Sequence, residues 1–116
     1  MLTVEQRING KVTILDIAGE IDQLEAPKMR ELVSRSIDEK RFNLVLNLQR
    51  VQVIDYASFG VLLEMLGELQ RYGGGLKFAC ANLHTRRMLR LMGLYRVLEC
   101  FDTEAAAIQE YHKEAA

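Results

Sequence analysis

The chain has 116 residues, of which 49% are apolar and 27% are charged. This size and composition suit one domain with a single core and exclude disorder over most of the length. Fifteen basic residues face sixteen acidic ones, so the net charge of −1 gives no general attraction to nucleic acid or to an anionic membrane. No apolar run approaches the roughly 20 residues of a membrane span, and no secretory signal is visible, so we expect a cytoplasmic protein without a membrane partner.

The first part of the chain predicts a β-hairpin followed by a helix. Residues 2–8 and 12–18 have the character of strands, and Asn9-Gly10 between them is a strong signal for a tight hairpin turn. Residues 19–22 are predicted to form a turn into a helix that begins near Ala26. Pro27 then falls in the first helical turn, where its missing N–H costs no hydrogen bond.

The remainder alternates between strand and helix patterns, which is typical of an α/β domain. The strand at 42–48 is almost continuously apolar, which predicts a central position in the sheet. The loop 51–55 leads into the next helix, and three glycines at 73–75 end that helix. The predicted strands and helices alternate over residues 42–48, 56–72, 76–81, 85–92, 97–101 and 103–113, with Thr103 as an N-cap.

Neither cysteine belongs to a pattern that indicates redox chemistry or metal binding. Cys80 and Cys100 each lie in an apolar run, and the chain contains no CxxC motif with nearby histidines. We therefore interpret both as small buried hydrophobic residues. The sequence predicts no metal site and no cofactor.

Several segments, taken in order, resemble the STAS-domain anti-sigma factor antagonists. The family has a strand of the form "vlnl", a loop ending in Asp-Ser-Ser-Gly-Leu-Gly-Val-Leu, a Gly-Gly turn and a short helix ending in "ltGl". The corresponding segments here are Leu44-Val45-Leu46-Asn47-Leu48, Val53-Ile54-Asp55, Gly60-Val61-Leu62-Leu63, Gly73-Gly74-Gly75-Leu76 and Leu91-Met92-Gly93-Leu94. Gly19-Glu20-Ile21-Asp22 is similar to the family's "GelD" turn. The resemblance covers nearly the whole chain.

The resemblance implies a single STAS domain over residues 1–116. Its fold would be a mixed sheet of four or five strands with about four helices, largely on one side, in the order β-β-α-β-α-β-α-β-α. It also implies an anti-sigma factor antagonist that binds an anti-sigma factor with serine kinase activity and thereby frees a sigma factor. In the family, that kinase phosphorylates a serine of the antagonist, and a PP2C-type phosphatase reverses the change.

The chain departs from the family at the phosphorylation motif. The family's Asp-Ser-Ser-Gly-Leu-Gly becomes Asp55-Tyr56-Ala57-Ser58-Phe59-Gly60, so Tyr56 occupies the acceptor position. A tyrosine hydroxyl lies several ångströms farther from the backbone than a serine hydroxyl, so a serine kinase would not reach it in the same geometry. Ser58 is the remaining hydroxyl for a serine kinase. The alternative, which we favour, is that Ser58 is a small residue bonding within the first helical turn.

The predicted partner-binding residues flank this motif. Asp22 is expected to fix the turn before the first helix, and Asp55 is expected to cap the second helix. In the family, both border the partner surface. Tyr56 and Phe59 are aromatic interface candidates, although packing into the protein is the favoured alternative for Phe59. Leu63, on a stripe with Gly60 and Gly67, is a candidate contact for a partner helix. The predicted binding residues are Asp22, Asp55, Tyr56, Ser58, Phe59 and Leu63.

Other functions remain open at this point. Asp22 and Asp55 have no accompanying nucleophile, histidine or metal ligands, so we predict no catalytic residues and no enzyme. A STAS scaffold in a stress-signalling complex or a regulatory subunit of a transporter ATPase is one alternative, and a nucleotide-binding module is another. A basic cluster has three interpretations: a solvated face, which we favour, docking to an acidic partner, or contact with nucleic acid. Its members are His84, Arg86, Arg87, Arg90 and Arg96.

Overall fold

The computed structural model describes residues 1–115. In that range, five strands and four α-helices follow the predicted order, and a 3₁₀ turn at Gln23–Glu25 precedes the first helix. The strands are β1 (Leu2–Asn9), β2 (Val12–Ile21), β3 (Asn43–Ile54), β4 (Gly75–Ala79) and β5 (Cys100–Phe101). The helices are α1 (Ala26–Asp38), α2 (Ser58–Gln70), α3 (Leu83–Leu91) and α4 (Glu104–Ala115).

The strands form one mixed sheet in the order β1-β2-β3-β4-β5. β1 and β2 are antiparallel, as the hairpin signal predicts, and each later pairing is parallel. β3 lies in the middle, and its residues Leu44, Val45 and Leu46 are fully buried. A strand covered on both faces has no side left for polar residues, which explains its continuous apolarity.

The helices divide between the two faces of the sheet. α1, α2 and α3 pack on one face, where they share a core with Leu15, Leu46 and Phe78. α4 covers the other face, and its Tyr111 hydroxyl donates a hydrogen bond of 2.7 Å to the backbone oxygen of Leu44. Three helices of the four therefore lie on one side, as predicted. Within residues 1–115, no helix is both long and apolar enough to cross a membrane.

The largest departure from the predicted boundaries is β3, which continues through the predicted loop to Ile54. Between the pairs Asp16–Asn47 and Ala18–Arg50, β3 advances three residues while β2 advances two. The same offset recurs just beyond, ending at the Ile21–Ile54 pair. These two bulges break the period of two along the strand, so the sequence pattern does not indicate a strand there. Similarly, β2 includes the predicted turn at 19–21.

The other differences are confined to element ends. α2 begins two residues later than predicted, because Tyr56 and Ala57 form a turn. The backbone N–H groups of Ser58, Phe59 and Gly60 bond the carbonyls three residues back, which is the spacing of a turn rather than of an α-helix. β5 is shortened because the Val97 and Leu98 amides both bond the Leu94 carbonyl in a turn. The remaining helices begin and end within about two residues of the predicted positions, which is the ordinary uncertainty of helix ends.

Candidate functional site

The ends of β2 and β3 place Asp22 and Asp55 side by side. Ile21 and Ile54 are partners in the parallel β2–β3 ladder, and the Asp55 amide extends that pairing with a 3.0 Å hydrogen bond to the Ile21 carbonyl. Each aspartate follows directly after its paired isoleucine. The carboxyl ends of neighbouring parallel strands are where α/β proteins commonly bind their ligands and partners.

Asp22 organises the chain between β2 and α1. Its Oδ1 accepts hydrogen bonds from the backbone N–H groups of Leu24 and Glu25, at 3.0 and 3.3 Å. Asp22 therefore fixes the turn before the first helix, as predicted, and that turn is the 3₁₀ turn at Gln23–Glu25. Within residues 1–115 its Oδ2 makes no hydrogen bond, so one carboxylate oxygen remains available to a partner.

The turn that Asp22 caps carries an exposed leucine that our sequence analysis missed. Leu24 is 88% exposed, and no neighbouring element covers its side chain. An apolar residue within the polar segment Asp22-Gln23-Leu24-Glu25 is the signal that would have identified it. A single exposed leucine is ordinary, but this one lies two residues after an aspartate that borders the strand ends.

Asp55 has the same arrangement at the start of α2. Its Oδ1 accepts a 2.9 Å hydrogen bond from the N–H of Ser58, the first residue of α2. Asp55 thus closes the turn that leads into α2, whereas the N-cap position predicted for it is occupied by Ala57. The next residue, Tyr56, is 70% exposed. We call Asp22, Leu24, Asp55 and Tyr56 the tip surface. It combines two carboxylates with two large exposed side chains, which are the components of a polar contact surface with apolar anchors.

The structure contradicts the predicted exposure of two other site residues. Ser58 is 1% exposed and its Oγ has no hydrogen-bond partner among the described residues, so neither a kinase nor a binding partner reaches this hydroxyl in the folded protein. The favoured alternative of a local hydroxyl bond is also wrong, since that bond is not made. Phe59 is fully buried, which confirms the packing alternative and removes it as a contact. Both side chains are on the inward side of the first turn of α2.

Leu63 is half-buried and packs against the main core, so it offers only part of its surface. The next residue, Glu64, is bridged to Arg30 of α1 by a 3.0 Å ion pair. The hydrogen bond and charge of that guanidinium lower the pKa of Glu64 below its ordinary value. This pair spans the α1–α2 groove. The role of Leu63 as a contact for a partner helix stays a prediction.

The groove between α1 and α2 has a volume of about 440 Å³, which is large enough for a small ligand. Asp38, Glu64 and Glu68 line it, and Arg30 is the one basic residue in its lining. Carboxylates at this density repel phosphates. The groove therefore does not support the alternative of a nucleotide-binding module.

The cysteines have the chemistry of structural residues. Both are free and half-buried, so they are less deeply buried than the sequence analysis predicts. Burial raises the pKa of the Cys100 thiol to about 11, which keeps it protonated at neutral pH. Among residues 1–115, no three histidine, cysteine or carboxylate side chains are grouped so that they could hold a metal ion.

Comparison with known proteins identifies the family to which the chain belongs. The STAS domain profile matches residues 3–107. This chain belongs to the STAS domain family. The five-stranded sheet with four helices is accordingly the STAS fold that the sequence resemblance implies, and that prediction is confirmed.

Individual relatives span nearly the whole chain. An anti-sigma F factor antagonist from Paenibacillus polymyxa is 26% identical over 110 residues, covering 94% of each protein. RsfB, an anti-sigma-F factor antagonist from Mycobacterium tuberculosis, is 27% identical and covers 88% of this chain and 83% of its own. The crystal structure of an anti-sigma factor antagonist from Mycobacterium paratuberculosis superposes with a TM-score of 0.82 at 21% identity, over 95% of this chain and 93% of that one. STAS proteins with these names are regulatory proteins rather than enzymes.

Proposed function

We propose that this STAS protein is an anti-sigma factor antagonist that binds an anti-sigma factor through the tip surface. The names of full-length relatives support this role. The observation that carries the proposal is the pairing of Ile21 with Ile54, because it brings the Asp22 turn and the start of α2 together at one edge of the sheet. Sequestering the anti-sigma factor would release its sigma factor.

The tip surface favours a partner that presents basic and apolar groups. Both aspartates keep one carboxylate oxygen free of hydrogen bonds to residues 1–115, and these oxygens suit arginine or lysine side chains of the partner. Leu24 and Tyr56 extend from the turns that the aspartates cap, and Tyr is a residue type that dominates interface energies. The caps hold the turns in place, so little ordering cost is incurred on binding.

A binding measurement with an anti-sigma factor from the same organism tests this role. We expect Tyr56→Ala to weaken binding by about 30-fold, since truncating an interface anchor costs about 2 kcal/mol. Asp55→Asn keeps an oxygen for the Ser58 amide but removes the charge, and should weaken binding by about tenfold. Tyr72→Ala is the control, because Tyr72 is also an exposed tyrosine but lies two residues beyond the far end of α2. Equal affinity of the Tyr56 variant and the control would refute the tip surface as the docking site.

The partner's enzymatic class is part of the proposal. The family resemblance supports an anti-sigma factor of the serine kinase type, with a PP2C-type phosphatase as a further partner. The burial of Ser58 and the presence of Tyr56 at the acceptor position support an antagonist that is not switched by phosphorylation in its folded state. Incubation with the kinase and ATP, followed by intact mass measurement, should give no added phosphate. A gain of one phosphate that Ser58→Ala abolishes would show that the motif opens and is modified.

A further inference from the structure

The exposed side of α3 and the turn after it combine arginines with large apolar side chains. Leu83, Arg87, Arg90 and Leu91 recur at the spacing of one helical face, opposite the buried Thr85 and Leu89. Tyr95 lies beside them, since it shares a small concavity with Arg90. We call Leu83, Arg87, Arg90, Leu91 and Tyr95 the α3 patch. Every member is exposed.

The charged residues in the segment that contains the α3 patch are all basic. Residues 83–98 contain four arginines and one histidine but no aspartate, glutamate or lysine, in a chain whose net charge is −1. Arg86 is held by Asp102 at 2.6 Å. Among residues 1–115, no carboxylate lies within ion-pairing distance of Arg87 or Arg90, so these two guanidinium groups have their charge uncompensated inside the protein.

A concavity between α3 and the 95–100 segment would receive an anionic group. Its volume is about 150 Å³, and Arg86, Arg90 and Tyr95 line its polar side. Arg86 is anchored by its bonds to Ala81 and Asp102, whereas Arg90 is free to pair with a ligand. This space admits a carboxylate head with its terminal methylene, and two arginines at its rim favour a planar anion that takes paired hydrogen bonds.

The composition favours a protein partner over a membrane or nucleic acid. Arginine and tyrosine are enriched at protein interfaces whereas lysine is depleted, and the patch has no lysine. An anionic membrane attracts lysine and arginine side chains alike. A helix that lies in a membrane interface presents a continuous apolar face, whereas in the α3 patch Arg87 separates Leu83 from Leu91. Protein grooves that bind single-stranded nucleic acid stack the bases on exposed aromatic rings. Here the Arg96 guanidinium lies over the Tyr95 ring, with its Cζ 5.6 Å from the ring centre.

We propose that the α3 patch is a second docking surface that binds an acidic amphipathic helix of a partner protein. A carboxylate of that helix occupies the concavity between Arg86 and Arg90, and its leucine-type side chains contact Leu83 and Leu91. This surface has the opposite charge to the tip surface, so it selects a different partner segment. It does not depend on the role proposed above.

Titration of the ¹⁵N-labelled full chain tests the α3 patch. The probe is a helical peptide of about 18 residues, or five turns, with leucine on one face and glutamate on the other. We expect saturable chemical-shift changes confined to residues 83–100, which form α3 and the wall of the concavity. The same peptide with lysine in place of glutamate should give none. Vesicles of phosphatidylglycerol and a mixed-sequence single-stranded DNA are titrated in parallel.

A charge-matched pair of variants makes the test specific. The double variant Arg87→Gln/Arg90→Gln should bind the acidic peptide about tenfold more weakly, whereas Arg35→Gln/Arg71→Gln, which removes the same charge from α1 and the end of α2, should bind normally. All four arginines are exposed on helices or their ends, so each variant should keep the native pattern of amide signals. The proposal is overturned by no saturable binding, by equal loss in both variants, or by binding to vesicles or DNA in preference to the peptide.

Discussion

The Ser58 backbone N–H donates a 2.9 Å hydrogen bond to the Asp55 carboxylate, whereas the Ser58 hydroxyl is buried without a partner among the described residues. The backbone of Ser58 thus closes the turn that leads into α2, while its side chain carries an unsatisfied hydroxyl into the core. Burying a hydroxyl without a hydrogen bond costs free energy that no contact returns. The buried Ser58 hydroxyl therefore lowers the stability of the folded protein.

Replacing Ser58 with alanine should not destabilise the protein. The backbone bond to Asp55 survives the change, and the unsatisfied hydroxyl is removed, so we expect the free energy of unfolding to stay constant or rise by about 1 kcal/mol. Ser36→Ala is the matched control, because Ser36 is also buried in a helix but donates a hydrogen bond to the Arg41 carbonyl at 2.5 Å. That variant should lose about 1 kcal/mol in urea unfolding. Equal losses in both variants would mean that the Ser58 hydroxyl has a partner in solution.

Gly74 has no room for a side chain. A Cβ built at Gly74 would collide with the backbone carbonyl of Phe42, which lies where β3 is about to start. We expect Gly74→Ala to lower the free energy of unfolding by about 1–3 kcal/mol through overpacking. Gly67→Ala is the control: Gly67 faces open space on α2, so this variant should gain about 0.5–1 kcal/mol from helix propensity. Urea unfolding of the two variants should therefore shift in opposite directions.

The ion pair between Glu104 and Arg7 makes the free energy of unfolding depend on pH in the acid range. The Arg7 side chain bonds its carboxylate at 2.9 Å, and this bond lowers the pKa of Glu104 more than partial burial raises it. Its contribution is complete above the unfolded value of about 4.5 and disappears as the pH falls through the folded pKa. Glu104→Gln should therefore cost about 1 kcal/mol at pH 7, since Arg7 is half-exposed, and almost nothing once the pH is below the folded pKa.

Unfolding curves for Glu104→Gln and the native chain, measured from pH 7 downward, give this dependence directly. Glu5→Gln serves as the control because Glu5 is exposed and makes no hydrogen bond within residues 1–115. A constant difference between the Glu104 variant and the native chain at every pH would contradict the linkage.

At Lys77, the contribution of a buried ammonium group to the free energy of unfolding can be measured separately from that of its aliphatic side chain. Its Nζ bonds Glu99 at 2.7 Å and Glu114 at 3.0 Å and lies 4.6 Å from the centre of the Tyr111 ring. Burial acts to lower the pKa of Lys77, but the bonds to the two carboxylates outweigh it and the pKa is raised. The stabilisation is therefore complete below the unfolded value of about 10.5 and is lost at higher pH.

We expect Lys77→Met to change the free energy of unfolding at pH 7 by no more than about 1 kcal/mol, because methionine keeps the stem and the half-exposed glutamates regain water. Lys77→Ala also empties the space of the stem and should cost about 2 kcal/mol or more. If both variants lose the same amount, the charge rather than the packing dominates.

The core and the element order could be predicted from the sequence because they depend on simple periodicities. The continuous apolar run in β3 is buried as expected. The end of β3 could not be predicted in the same way. Its two bulges exist only through pairing with β2, and they leave Gln52 and Val53 both exposed in succession, which is not the pattern of a regular strand.

The hydrogen bonds that Asp22 and Asp55 make could be predicted from the sequence, but the solvent exposure of the site residues could not. Asp22 and Asp55 cap through bonds to amides two or three residues away, so local sequence is sufficient to predict them. Whether Ser58 or Tyr56 points outward depends on the start of α2, and a shift of two residues turns a helical side chain by about 200°. Leu24 was missed because its exposure follows from the 3₁₀ turn, which the helix pattern does not indicate.

The location of α4 on the opposite side of the sheet has a practical consequence for engineering. Ala107, Ile108 and Tyr111 fill a small core with Val12, Ile14 and Val45 that shares no residue with the tip surface or the α3 patch. We expect substitutions in that layer to change stability without altering either surface. A thermostable variant for crystallising this protein with a partner should therefore be sought beneath α4.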